Sequence, residues 1–333
     1  MKKQLWERDT QPQDEMSCLL PSPHKVSKKL LDFSTSFTNA MEADRVLRLP
    51  EGVFFLGKPS LGSKLYIREC YETMSRIIFE LVTRHGKRAI VISGTPGTGK
   101  SLFALYLLYQ LRLQSNTVVV QSKGLWYRFS DQERVEKGSF ETFDAALYFD
   151  DENAWFLCDP VDEQGVFQGF SGVTVVTISP NYDQIHDFLK QTGATQRYME
   201  MWTPYELKHC RKLLYPHVSE DDVKHAYEHV GGAAREAFSK DSLAIKMEMM
   251  KKRANEVGVQ EMRDAVEADS STVVPTKKLG DNLFNIHPVD RIDFTTYELK
   301  FASSYYADMT MEALKRRTMP FTPGGGIGLP PST

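Results

Sequence analysis

The sequence has no long apolar run, no paired cysteines and no surplus of basic charge, and each shortage removes a class of function. No uninterrupted apolar stretch reaches membrane-spanning length, so no membrane role is expected. Residues 1–9 carry charge without the apolar segment of a secretory leader, and the expectation is an intracellular protein. Four cysteines, Cys18, Cys70, Cys158 and Cys210, stand far apart with no CxxC spacing. They read as reduced thiols and not as a disulfide framework. Lys and Arg number 41 against 44 Asp and Glu, a formal net charge of −3. No whole-chain basic field therefore points to nucleic acid. What is present suffices for a core: 333 residues, 41% hydrophobic and 26% charged, about two domains by length.

The most informative segment is Gly94-Thr95-Pro96-Gly97-Thr98-Gly99-Lys100-Ser101, an unbroken match to the nucleotide-binding P-loop pattern. Glycines tolerate positive φ and let backbone N–H groups face phosphate oxygens at close range. Lys100 is placed to bridge the outer phosphates, and Ser101 to put its hydroxyl on Mg²⁺. A helix starting there turns its positive dipole end toward the same phosphates, with Leu102 in its first turn. Both flanks fit. Residues 88–93 form a β-branched run that reads as a buried parallel strand, and 102–111 form an apolar run of good helix formers. Strand, glycine-rich loop and buried helix are the order the motif requires. The plain alternative is an ordinary glycine loop between two core elements.

Alternating short strands and helical stretches imply an α/β fold, a P-loop NTPase three-layer sandwich with a mainly parallel sheet, followed by a small helical lid. Strands are expected at 51–57, 88–93, 117–121, 145–149, 154–158, 173–178 and 197–202, with a helix over 65–84. Residues 1–48, polar and broken by Pro12, Pro21 and Pro23, read as an arm; 49–205 form the core. Residues 206–268 form the lid. Thr203 caps a helix with Pro204 at its first position, and Ser219 caps a second with an acidic first turn. Gly231-Gly232 ends that helix, and a third runs from Ala233 to about Gly258. Residues 269–333 are an extension with a short helix at 304–317 and a Gly/Pro linker at 320–331.

Hydrolysis needs a metal-holding acid at the tip of a neighbouring strand. Asp159 ends the apolar run 154–158 and is the candidate Mg²⁺ ligand beside Ser101. An aspartate capping the Asp159-Pro160 turn is the simpler alternative. The activating base is expected three or four residues on, at Asp162 or Glu163, with Glu163 favoured. Ser179 or Asn181 sits where a strand tip meets the γ-phosphate, and Arg235 at the start of the third lid helix reaches back to it. Arg197 and Arg211 are candidates for an arginine acting across an oligomer. His225 and His229 formally match a zinc pattern but lack a third ligand, and Asp293 with Glu298 and Lys300 only faintly echoes a nuclease. No Asn-Lys-x-Asp segment for reading guanine exists, which turns the base toward adenine.

Taken in order, residues 49–57, 65–71, 93–101, 231–235 and 301–304 resemble the Crinkler and retrotransposon-hot-spot proteins. The resemblance spans roughly 49–310 and implies an AAA+/STAND-like ATPase module binding ATP and Mg²⁺. In that family the module stands between a ubiquitin-like header and a nuclease or kinase-like toxin domain, and many members are secreted effectors acting in a host nucleus. It thus implies an unidentified protein partner, nucleic acid contact and secretion, none of which the residues themselves indicate; assembly into oligomers is expected of AAA+-like machines. The reading is an Mg²⁺-dependent ATP-binding switch with slow hydrolysis. Alternatives are a module that holds nucleotide without hydrolysing it and, last, a small-molecule kinase.

Overall fold

The computed structural model describes residues 26–122, 124–130, 134–160, 167, 169–179, 188–267 and 283–318. Its N-terminal part departs from the polar arm expected over 1–48. Ser27 caps a helix, α1 (Lys28–Ser36), by accepting from the Leu30 amide. Leu30, Phe33 and Phe37 recur at helical spacing and are almost fully buried. Their low density among polar neighbours hid the helix from a composition-based reading. Strands β1 (Met41–Ala43), β2 (Val46–Arg48) and β3 (Lys64–Tyr66) follow as a small antiparallel sheet. The expected strand at 51–57 is instead irregular chain ending in a 3-10 turn, Phe55–Gly57, whose Phe55 packs against Phe33 and Phe37. Helix α2 (Glu69–His85) has an acidic first turn and a left-handed Gly86 at its end.

The central sheet carries β4 (Ala89–Ser93), β5 (Val118–Ser122), β6 (Leu125–Phe129), β7 (Val135–Gly138), β8 (Trp155–Asp159), β9 (Val173–Thr177) and β10 (Thr195–Tyr198). Their order is β10-β4-β9-β8-β5-β6-β7, parallel from β10 to β5 and antiparallel through β6 and β7. The fold is therefore mixed α/β with a mainly parallel sheet. The register brings the C-terminal tips together: Ser93 pairs Tyr198, Ile92 pairs Thr177, and Asp159 pairs Ser122. Open parallel sheets bind ligands at that edge. Helix α3 (Lys100–Leu113) is apolar all round because it is buried all round, with Phe103, Leu107, Leu108 and Leu111 fully enclosed. Each such side chain stabilises the fold by roughly 1.5–3 kcal/mol relative to exposure. The hairpin β6–β7 was not expected. Residues 145–149, expected as a strand, are the end of α4 (Phe140–Ala145) and a turn with Leu147 at positive φ.

Beyond the sheet the chain turns helical at the expected place. In α5 (Pro204–Leu214) Thr203 and Glu206 form a reciprocal capping box, with Pro204 in the first turn. Ser219 caps α6 (Glu220–Val230). The single third helix expected from Ala233 is two: α7 (Ala234–Ala237) and α8 (Lys240–Glu256), the second newly capped by Ser239. A helix α9 (Val259–Glu267) follows. The hairpin β11 (Phe284–Pro288) with β12 (Tyr297–Phe301), and α10 (Ser304–Thr318), do not form a separate extension. Leu283, Phe284, Ala302 and Tyr306 share one apolar cluster with Met201, Val230, Ala233, Met250 and Ala254. Lid and C-terminal segment thus bury a common face. No helix among the described residues is long and apolar enough to cross a membrane.

Candidate functional site

The glycine-rich loop joins β4 to α3 at the C-terminal edge of the sheet. Gly99 has φ +98, and a β-carbon there would run into the Tyr71 hydroxyl, so both conformation and space require glycine. Tyr71 donates to the Gly99 carbonyl at 2.7 Å, and the Thr98 hydroxyl to the Thr95 carbonyl at 3.0 Å. Side chains outside the loop therefore help to set its path. Lys100, 7% exposed, donates from Nζ to the Gly94 and Thr95 carbonyls at 2.6 and 3.0 Å. Burial pushes its ammonium down to about 7, with Asp159 opposing and Arg235 adding to the fall. A desolvated cation in this setting favours the entry of an anion.

Ser101 and Asp159, 58 residues apart in sequence, meet at 3.1 Å between Oγ and Oδ1. The same carboxylate oxygen accepts from Thr177 Oγ1 at 3.3 Å. Three strand or helix ends thus converge on one oxygen. These are hard donors, the kind Mg²⁺ takes when substrate phosphates complete its shell. Among the described residues no group of three His, Cys, Asp or Glu side chains forms a dedicated metal cage. The pair fits a metal held jointly with a ligand, not one caged by protein alone.

A cleft of about 520 Å³ extends from this point. Pro96, Gly97, Gly99, Lys100, Ser101 and Leu102 line it from the loop, with Asp159, Pro160, Thr177 and Ser179 along the strand tips. Arg235 lines it from α7, whose first amide, Ala234 N–H, donates to the Gly97 carbonyl at 3.1 Å. The lid is thereby tied to the loop. Aromatic side chains line the cleft as well. Tyr215 and Phe238 stack with centroids 4.3 Å apart, and Tyr66 and Trp202 stack at 5.5 Å. The lining thus combines a buried ammonium and hydroxyls with flat apolar rings.

The structure brings Lys100, Ser101, Asp159, Ser179 and Arg235 around one cleft. Glu163, like Asp162 and Asn181, lies outside the described residues. Gly94, Thr95 and Thr98 do not line the cleft; Thr95 Oγ1 instead accepts from the Ile286 amide of β11 at 2.8 Å. Arg197 is 8% exposed and donates to the Gln196 carbonyl, and Arg211 donates to the Val218 carbonyl. Neither lines the cleft. The imidazoles of His225 and His229 lie 4.3 Å apart at a tilt of 44°, and His229 Nδ1 meets the His225 carbonyl. Sequence reasoning missed Thr177, although its place near the end of a β-branched run beside the Asp159 strand was a usable signal. It missed Arg68, Tyr71 and Trp202 as well, which support the loop from distant positions.

Comparison with known proteins gives one distant likeness. The chain is 30% identical over 162 residues to Crinkler effector protein 15 and to Crinkler effector protein 16 of Phytophthora infestans. The similarity is to Crinkler proteins. The match covers 47% of this chain and 26% and 25% of those relatives, so the chain spans about a quarter of their length. No family model matches the chain.

Proposed function

We propose that the chain is an Mg²⁺-dependent ATP-binding switch module of the P-loop type, with slow hydrolysis. The observation that carries this reading is the meeting of the Ser101 hydroxyl and Asp159 carboxylate at 3.1 Å beside the buried Lys100. Loop amides and the α3 dipole receive the phosphates, and Lys100 exchanges its carbonyl partners for phosphate oxygens. Ser101 and Asp159 hold the metal, which when bound neutralises charge on the outer phosphates. Arg235 adds a cation at the mouth of the cleft, and the stacked aromatics exclude water around the base. A comparison of thermal unfolding with and without Mg-ATP tests the reading. At a hundred times its Kd the ligand adds about 2.7 kcal/mol of stability to the wild type. That shift should vanish in Lys100→Ala. Identical melting of both proteins under all conditions would overturn the proposal.

One observation favours a second reading, a module that holds ATP without hydrolysing it. Among the described residues lining the cleft Asp159 is the one carboxylate, and Pro160 occupies the following position. Phosphate release separates the two. Turnover that disappears in both Asp159→Ala and Glu163→Gln marks an ATPase; tight binding with no release marks the holding module. Likeness to effector proteins supports a role in a longer polypeptide that acts on a partner, with the nucleotide state of this module as the control.

A further inference from the structure

Arg68 is the largest of the fully buried side chains, and nothing in the nucleotide reading calls for it. Its guanidinium places all five N–H donors. Nε and Nη2 form a bidentate pair with Glu206 at 2.9 and 3.0 Å. Nη1 donates to the carbonyls of Thr98 and Glu200 at 3.0 Å each, and Nη2 to that of Met201 at 2.9 Å. The planar ion lies over the Trp202 ring at 4.7 Å. These partners belong to three separate parts. Thr98 is in the glycine-rich loop, Glu200 and Met201 lead from β10 to the lid, and Glu206 is the capping residue of α5. Glu206 Oε2 also accepts from the Thr203 amide at 2.9 Å, so the same carboxylate closes the cap and the ion pair. Trp202 repeats the connection: its Nε1 donates to the Thr98 carbonyl at 3.0 Å and its amide to the Gly232 carbonyl at 3.0 Å. Gly232 has no room for a side chain, because the Trp202 backbone fills the space.

We propose that Arg68 is the positioning residue of the site, a strut that fixes the glycine-rich loop to the base of the lid so that the two move as one. The inference deepens the nucleotide reading, since a loop held in anion-binding shape before any ligand arrives is what that reading needs. It also changes the expected motion. Closure of the lid as a body onto the sheet is excluded while the strut holds, and movement falls to the outer parts of α5 and α6. A buried ion pair of this kind contributes little net stability, yet breaking one partner is costly, so its worth lies in geometry. Lysine cannot replace it: a single ammonium has three donors and no plane.

Hydrogen exchange of the ligand-free full chain tests the strut without reference to nucleotide. In Arg68→Lys the amides of residues 97–101 and of the first turn of α5 should lose protection together, by about tenfold, the equivalent of one charge-assisted hydrogen bond. Phe33→Leu, a core change in α1 of similar effect on melting, should leave both segments at wild-type protection. Glu206→Gln keeps the shape and one acceptor, and should give a smaller change of the same pattern; it decides the matter if Arg68→Lys does not fold. Unchanged protection of the loop in either variant, or loss in one segment alone, would overturn the proposal. A second arm measures Mg-ATP affinity, which should weaken about tenfold in Arg68→Lys and not in Phe33→Leu. A wild type that binds no Mg-ATP would sink the nucleotide reading while the exchange result still decides the strut.

Discussion

The loop lining and the aromatic lining of the cleft are built by opposite means. The loop lining comes mostly from one short stretch, residues 96, 97 and 99–102, joined by Asp159 and Thr177 from the strand tips. The aromatic lining comes from Tyr66, Trp202, Tyr215 and Phe238, four positions spread over more than half the chain. The first rests on glycine spacing in a short segment, with Tyr71, Trp202 and Arg68 holding its path from outside. The second depends on tertiary packing, which brings Tyr66 of β3 together with Trp202 before α5 and with Tyr215 and Phe238 just past the ends of α5 and α7. Damage should differ accordingly: charge chemistry in the loop lining separates ATP from ADP, and packing in the aromatic lining treats them alike.

The largest effect is expected at Asp159, the acid proposed to hold the metal. Asp159→Asn should remove the Mg²⁺-dependent part of ATP affinity, about 2–3 kcal/mol, and leave binding in the presence of chelator unchanged. Titration calorimetry with and without Mg²⁺ reads this directly; equal weakening in both would return Asp159 to the role of a turn cap. Arg235 comes next. Its replacement by Ala should weaken ATP by about 1.5 kcal/mol and ADP by less, because ATP alone extends a further charge toward the cleft mouth. A uniform loss would place Arg235 at the base or in lid folding.

In the aromatic lining, Phe238→Ala should cost about 1 kcal/mol for ATP and ADP equally, by opening the stack on Tyr215. Discrimination between the two nucleotides by this variant would break the division of labour between the two linings. The smallest effect concerns Glu236, whose carboxylate is buried, held above its ordinary range by burial, and leaves Oε2 without a partner near Gly97. With the folded pKa raised above the unfolded value, the acid contributes stability at low pH that is lost as pH rises through the folded value. Glu236→Gln should therefore flatten the fall in stability above pH 4.5, by under about 1 kcal/mol. Unfolding curves from pH 4 to 8 measure it, and an unchanged profile would show the carboxylate to be compensated.

Much of the loop lining was legible in the sequence. The glycine spacing, the β-branched run before it and the apolar run after it each encode local conformation, and the structure places Lys100 and Ser101 accordingly. Asp159 was legible as an acid at the tip of a buried strand, and the structure brings its carboxylate to the Ser101 hydroxyl. The lid helices α5 and α6 were readable from Thr203, Pro204 and Ser219, whose side chains cap the residues next to them. The break at Phe238–Ser239 went unread although Ser239, which accepts from the Ser242 amide, is a local cap signal; Phe238 there packs on Tyr215 and Trp202. α1 was missed because three buried apolar residues among polar ones make a helix only where a core awaits them. The hairpin β6–β7 was missed although Gly124, at positive φ, and the run Leu125–Phe129 of strand formers after it carry a local signal for pairing with β5.

By itself, then, the sequence determined the loop, its strand and helix, and the two capped lid helices, because hydrogen bonds and steric limits between near neighbours decide such features. Tertiary structure alone decided the partners of the loop: Tyr71 under Gly99, Trp202 and Arg68 on the Thr98 carbonyl, Thr177 on Asp159, and Ile286 on Thr95. The contacts to Arg68, Tyr71, Trp202 and Ile286 join residues 28 to 191 positions apart. Their energies depend on burial that exists only after the sheet, lid and C-terminal hairpin have come together, so no window of sequence contains them.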